Sequence, residues 1–286
     1  MTAITARPGI RQVRRRFPIR AIFLAMVLVL CLLPLAWVLL ASLGVLPLDS
    51  VSPPTWSLPP SLGNYLEVGV AEPGFVGELA TSGALAIVTT LLATGIAFLA
   101  AYALARSRFR GRRLLVQCCL ILASLPVISY LIPLRNTLDV LRLSETFIGT
   151  ALSETALFAP LAAYILFGYL NAMSQELEES ARLDGASIVQ ILREVVLPTS
   201  LASVAATAII IFVLSWNQVL IPLVLATRVR TVPVAMIDFF TFERELDWPT
   251  AAAALLSSLV PIAVFVAIAH RPLEQFNLGV SQQTEQ

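Results

Sequence analysis

Glu178-Glu179-Ser180-Ala181-Arg182-Leu183-Asp184-Gly185-Ala186, closed by Val195-Val196-Leu197-Pro198, is a polar, acid-bearing block between two long apolar segments. Its residues predict two short helices. Ser174 stands as an N-cap, and Glu176, Glu178 and Glu179 fall near the positive end of the helix dipole that follows. Asp184-Gly185 supplies a stop, because glycine accepts the left-handed conformation at a helix C-terminus. Ser187 with Gln190 has the form of a capping box and starts the second helix. Leu177, Ala181, Ile188, Ile191 and Leu192 give each helix an apolar side. Pro198 fits the first turn of the apolar segment beyond, where its missing N–H costs nothing. A chain that is otherwise lipid-compatible has little reason to carry such a block unless something outside the membrane grips it. The competing reading is a loop tucked against its own bundle.

Working outward, the composition is that of an integral membrane protein. Hydrophobic residues make up 58% and charged residues 13%, with a mean hydropathy of +0.85; soluble domains carry roughly 25% charged residues. A spanning helix needs ~20 mainly apolar residues, and six segments qualify: residues 21–43, 82–105, 114–134, 147–170, 199–225 and 250–269. The first is preceded by arginines, as a signal peptide would be. Its apolar run exceeds the roughly 7–15 residues of a signal core, so it reads as a retained span. All-α architecture with six transmembrane helices follows.

Arginine placement orients the bundle. Arg7, Arg11, Arg14, Arg15, Arg16 and Arg20 precede the first span, and Arg106, Arg108, Arg110, Arg112 and Arg113 fill the second loop. The first loop holds Asp49, Glu67, Glu72 and Glu78 and no arginine. The N-terminus is therefore expected in the cytoplasm, and an even number of spans returns the C-terminus there. The expected organisation is an Arg-rich N-terminal segment (1–20), a six-helix domain (21–270) with the polar loop 171–198 inside it, and a cytoplasmic tail (271–286). The external loop is rich in proline (Pro47, Pro53, Pro54, Pro59, Pro60) and reads as extended. A second external loop places Phe239, Phe240 and Phe242 beside Glu243 and Glu245, as a surface amphipathic element would. The alternation of basic and acidic loops argues against nucleic acid as the partner of the N-terminal arginines.

Several chemistries are excluded or unsupported. The chain contains no lysine, which rules out a Walker A loop, whose lysine reaches the nucleotide phosphates; any ATP used is hydrolysed by another chain. Cys31, Cys118 and Cys119 lie in apolar segments without metal-ligand spacing, and His270 is the single histidine. No Ser/His, paired Asp or metal constellation suggests an enzyme, and no cofactor is expected. Polar groups inside spans are the candidates for a solute path, because lipid penalises them. Glu154, flanked by Ser153 and Thr155, lines a cavity or pairs with a neighbouring helix. Trp216, Asn217 and Gln218 either meet a solute or pack between helices, and Tyr164 and Asn136 are weaker candidates.

The block resembles the EAA motif of binding-protein-dependent ABC importer permeases: E-A-A, three residues, G, nine residues, I-x-L-P. Glu179, Ala181, Gly185, Leu197 and Pro198 match in register, with Ser180 in the second position and Val195 for isoleucine. The resemblance extends over nearly the whole chain and is closest to the smaller permease of maltose-type, carbohydrate-uptake systems. Supporting fragments are Pro34-Leu35-Ala36-Trp37 with Ser42, Asn64-Tyr65, Ala101-Tyr102-Ala103-Leu104-Ala105-Arg106, Phe109-Arg110-Gly111, Trp216-Asn217, Thr231-Val232-Pro233-Val234 and Asp247-Trp248. The chain departs from the family at Ala202 and near Ser174, where proline is usual. It departs again in the tail, where Gly279-Val280 is the nearest remnant of a Gly-Ala-Val-Lys-Gly ending.

The resemblance implies the type I importer permease fold in a bacterial cytoplasmic membrane. It implies a second permease subunit, two ATP-binding subunits below and an external solute-binding protein above, moving a sugar-like solute. Glu178, Glu179, Ala181, Asp184, Gly185, Ala186, Leu197 and Pro198 would form the coupling element seated in an ATPase. An importer for glycerol phosphate or an amino acid is the nearest alternative. An ion-coupled secondary transporter is the alternative from another class, although inverted repeats and several intramembrane acids are missing.

Overall fold

The structure, a computed structural model, describes residues 19–45, 59–71, 73–239 and 248–269. The N-terminal arginines up to Arg16, most of the first proline-rich loop, the Phe240–Glu245 region, His270 and the tail lie outside the described residues. Those described are helical throughout, joined by turns, with no strand among them.

Helix α1 (Ile19–Ser42) is followed by a short α2 (Gly63–Leu66) that continues as a π turn, Glu67–Ala71. The long α3 (Pro73–Arg106) opens on proline, whose lost N–H is one the first turn leaves unbonded anyway. Its buried residues Ala93, Ala97, Ala101 and Ala105 recur every fourth position, making a narrow ridge of small side chains that lets a neighbouring backbone approach closely. That neighbour is α6 (Phe147–Ala172), whose Ala162, Ala163, Leu166 and Leu170 face the ridge in the same core. This is the most extensive helix pair in the molecule. Thr146 caps α6 through its side chain, 3.0 Å from the Gly149 N–H.

Between them lie α4 (Arg112–Ser124) and α5 (Leu131–Val140), separated by a 3-10 turn at Val127–Ser129. The expected third span, 114–134, is thus broken. Pro126 forces Leu125 into an extended conformation (ψ 135°) and removes a donor. The 13 residues of α4 rise only about 20 Å, against a ~30 Å hydrocarbon core. The chain then passes through the polar block, α7 (Glu176–Leu183) and α8 (Ile188–Thr199), into α9 (Leu201–Trp216), bent by 77° from α8. The expected fifth span, 199–225, therefore starts after a bend and stops at Trp216, with α10 (Leu220–Leu225) a separate piece. Pro198 closes α8 instead of opening α9. After α11 (Val232–Phe239), the last helix is α12 (Trp248–Ala269).

Among the described residues four helices, Ile22–Ser42, Gly74–Arg106, Phe147–Ala172 and Trp248–Ala269, are long and apolar enough to cross a membrane. The bent α8–α9 pair makes a fifth if counted as one span. Ser42 Oγ shares a 2.8 Å hydrogen bond with Tyr65 Oη, and the Asn64 side-chain amide donates to the Ser42 carbonyl. Two motif fragments far apart in sequence thereby tie the end of α1 to α2.

Candidate coupling site

The polar block folds as two capped helices, with one adjustment. Gln175 occupies the N-cap position of α7 without a side-chain bond, and Ser174 Oγ instead accepts the Glu176 N–H at 3.3 Å. Three glutamates fill the first turn and Arg182 the last, both favourable to the dipole. Gly185 sits at φ +82°. Its N–H bonds the Arg182 carbonyl, and the Ala186 N–H reaches back to the Ala181 carbonyl at 2.9 Å. This pair of bonds is the Schellman stop, which places a left-handed residue just past the helix. Ser187 and Gln190 exchange both bonds of a capping box and start α8. Within α8, Ile191–Val196 is a π segment. An i→i+5 ladder brings residues five apart onto one face, and Ile191 and Val196 are both buried in the bundle core.

The block has two faces. Ala181, Ala186, Ile191, Leu192 and Leu197 pack on the α3–α6 core. Glu179, Asp184, Gly185 and Pro198 are exposed. So are Leu177, Leu183, Ile188 and Val189, with Leu183 at 90% the most open. Leu177 and Ile188 belong to the apolar sides expected for the two helices. Both face outward, and with Leu183 and Val189 they leave an apolar patch beside the exposed acids Glu179 and Asp184.

Glu178 points the other way and is 2% exposed. Arg106, the last residue of α3, donates to its carboxylate from Nε at 2.9 and 3.1 Å and from Nη2 at 2.5 Å. Tyr102 Oη adds a bond at 3.1 Å. The remaining arm of the guanidinium, Nη1, donates to the Leu170 carbonyl in the last turn of α6 at 2.8 Å. In the sequence Tyr102 stands only within a motif fragment, and Arg106 in that fragment and among the arginines of the second loop. The available signal was an arginine ending one apolar segment and a run of acids following another, which identifies no particular pair.

Among the solute-path candidates, Glu154 is tied through Ser215 to the turn of α9 that carries Trp216. Glu154 is fully buried in α6; Thr89 Oγ1 of α3 donates to it at 3.2 Å, and Ser215 Oγ of α9 donates to the same oxygen. Trp216 is buried in an aromatic stack in which Phe212 lies 3.8 Å from Phe265, ring centre to ring centre, and 5.9 Å from Trp216. Asn217 is exposed and bonds its own helix at the Val213 carbonyl, while Gln218 accepts the Leu220 N–H. Tyr164 borders a cavity of about 590 Å³ between α4 and α6, with Arg112, Arg113, Gln117 and Asn171 on its polar side. Among the described residues no cluster of His, Cys, Asp or Glu could hold a metal ion.

The described residues thus form an all-helical bundle of long apolar helices with a capped, two-faced helix pair packed at one end of its α3–α6 core. Residues 93–275 match the family of binding-protein-dependent transport system inner membrane components, and the chain belongs to that family. It is 30% identical to the sulfoquinovosyl glycerol transport system permease protein SmoH of Agrobacterium fabrum, over 94% of each chain. It is 35% identical to the trehalose transport system permease protein SugB of Mycobacterium tuberculosis, over 69% of this chain and 73% of that one. A crystal structure of a bacterial ABC transporter that imports the acidic polysaccharide alginate shares the fold. There the TM-score is 0.67 at 19% identity, over 88% of this chain and 94% of that one.

Proposed function

We propose that this chain is one permease subunit of an ATP-driven sugar importer, and that α7 and α8 form the element through which two separate ATPase subunits drive it. The observation that carries the reading is the outward face of the block: acids Glu179 and Asp184 beside exposed Leu177, Leu183, Ile188 and Val189, held on a stiff capped turn. An apolar patch of this kind, rimmed by charge, marks a docking surface. The ATP-driven closure of the ATPase pair would displace the block and switch the two membrane halves as rigid bodies. The other half is a second, related permease. Helix α1 supports this: it packs on α12, yet every side chain from Ile22 to Trp37 is exposed.

Six spans with both termini in the cytoplasm remain the reading of the arginine-rich and acidic loops. The third span would then run through the broken α4–α5 pair and the fifth through the bent α8–α9 pair. The sugar class rests on the substrates named for the relatives, sulfoquinovosyl glycerol and trehalose. An external solute-binding protein would deliver the solute. In the assembled transporter, Gly185→Pro and Glu179→Lys should leave membrane insertion intact and lower uptake and substrate-stimulated ATP hydrolysis together. Proline cannot adopt φ +82°, and a lysine reverses charge on the exposed face. Full transport by both variants would remove the block from the mechanism. Vanadate-insensitive uptake would point to an ion-coupled carrier instead.

A further inference from the structure

The docking reading leaves Arg106, Tyr102 and the inward carboxylate of Glu178 without a task. We propose that Arg106 is a positioning residue for coupling. Its guanidinium locks α7 to the ends of α3 and α6, so that force applied to the outward face of the block reaches the bundle as a rigid displacement. The proposal rests on the coupling role of α7 and α8.

The geometry supports a lock in three ways. First, one planar group with donors fixed in a fork serves three elements at once. It belongs to α3, holds Glu178 of α7 by two nitrogens, and holds the Leu170 carbonyl of α6 by the third. Second, the connection it spans is otherwise a hinge. Met173 is extended (ψ 136°), and residues 173–175 are all that join α6 to α7. The other inward contacts from α7 are the methyl group of Ala181, which packs but fixes no angle, and the Arg182 side chain, which hydrogen-bonds Tyr102 and adds to the same network on α3. Third, the pair is shielded, with side chains 9% and 2% exposed, so salt screens it little. Glu178 is consequently unavailable to an ATPase, although its neighbour Glu179 is open to one. Adjacent acids thus divide the work: Glu179 faces the partner and Glu178 anchors the helix that carries it.

The test uses the complete transporter, reconstituted in vesicles with its ATPases and binding protein. It compares Arg106→Lys, Glu178→Gln and the double variant Arg106→Gln with Glu178→Gln. Lysine keeps the charge and loses the fork. The lock predicts that ATPase subunits copurify in wild-type amounts and that basal hydrolysis persists. Uptake and substrate stimulation should fall about ten-fold, within the usual range of a coupling energy. The double variant should be no worse than the poorer single one, as expected for a shared network. Normal stimulation in Arg106→Lys, additive losses, or loss of ATPase from Glu178→Gln would each overturn the proposal; the last would put Glu178 at the partner's surface. A second measurement leaves the lock intact, with spin labels at the exposed positions Ala172 and Ser180. Their separation should stay constant to within about 1–2 Å, the size of ordinary helix shifts, between nucleotide-free and vanadate-trapped states. A larger change would mean that α7 swings on α6 and that Arg106 does not lock it. Failure of the unmodified chain to copurify with any ATPase would instead sink the coupling role itself.

Discussion

Glu154 and Glu178 are both buried glutamates that join three helices, and α3 serves both of them. They are satisfied in opposite ways. Glu154, in the middle of α6, meets only hydroxyls, Thr89 from α3 and Ser215 from α9, and its Oε1 has no hydrogen-bond partner among the described residues. Glu178, at the mouth of the bundle, meets a guanidinium whose every arm is engaged. Thr89 and Arg106 lie about 25 Å apart along α3 by helix geometry. In mid-bundle, small hydroxyls let three helices approach without bringing in a cation that lipid would penalise. At the end of α3 a long arginine can reach an acid and bring its charge with it. The first arrangement favours close packing, and the second fixes direction.

The comparison breaks most readily at Glu178. Glu178→Leu leaves Arg106 nearly buried without its counter-charge, and removing one partner of such a pair costs about 3–5 kcal/mol. The loss should appear as a lower unfolding temperature of the detergent-solubilised protein. Glu154→Leu should cost less, about 1–2 kcal/mol, for two hydroxyls deprived of their acceptor. Each hydroxyl can turn back to a carbonyl of its own helix, which softens the loss. Glu154→Gln should be milder still, under about 1 kcal/mol, because an amide oxygen accepts the same two bonds. Equal losses for Glu154→Leu and Glu178→Leu would show that the charge at Arg106 does nothing that a hydroxyl pair does not.

How far these two sites were legible follows from their chemistry. The caps around α7 and α8 depend on local residues, so Gly185, Ser187 and Gln190 announced them, with only Ser174 displaced by one position. Glu154 was legible as an anomaly, a lone acid in an apolar run, but its partners were not. Threonine and serine in lipid-compatible helices are too common to point anywhere. The inward turn of Glu178 was hidden because helix register in an eight-residue polar segment depends on where its ends are pinned. The same register in α7 carries Leu177 outward against its hydropathy. The break at Leu125-Pro126 was missed because a hydropathy window averages over one proline, whereas backbone geometry does not. The bend at Ser200 has no proline or glycine in its own position to mark it, and Pro198 suggested a helix start two residues too early.

A third glutamate, outside the spans, sharpens the comparison at its weakest end. Glu145 precedes α6 and is only partly covered. Arg135 lies 3.3 Å away, the Thr227 hydroxyl donates at 3.0 Å and the Arg228 N–H at 3.3 Å. Partial desolvation pushes its pKa up, but the Arg228 and Thr227 bonds with the Arg135 charge outweigh it and hold the carboxyl below the ordinary glutamate value. A carboxyl depressed on folding contributes stability above its unfolded value of about 4.3, lost as the pH falls through the lower folded value. The tie therefore joins the turn before α6 to the turn after α10 at neutral pH and releases it in acid. An exposed pair of this kind contributes about 0.5 kcal/mol or less, or roughly 1–2 °C of unfolding temperature. Glu145→Gln should melt below the parent by that small margin at pH 7, with the gap closing below about pH 4. A gap that is constant with pH would mean that the carboxyl is held by shape and not by charge.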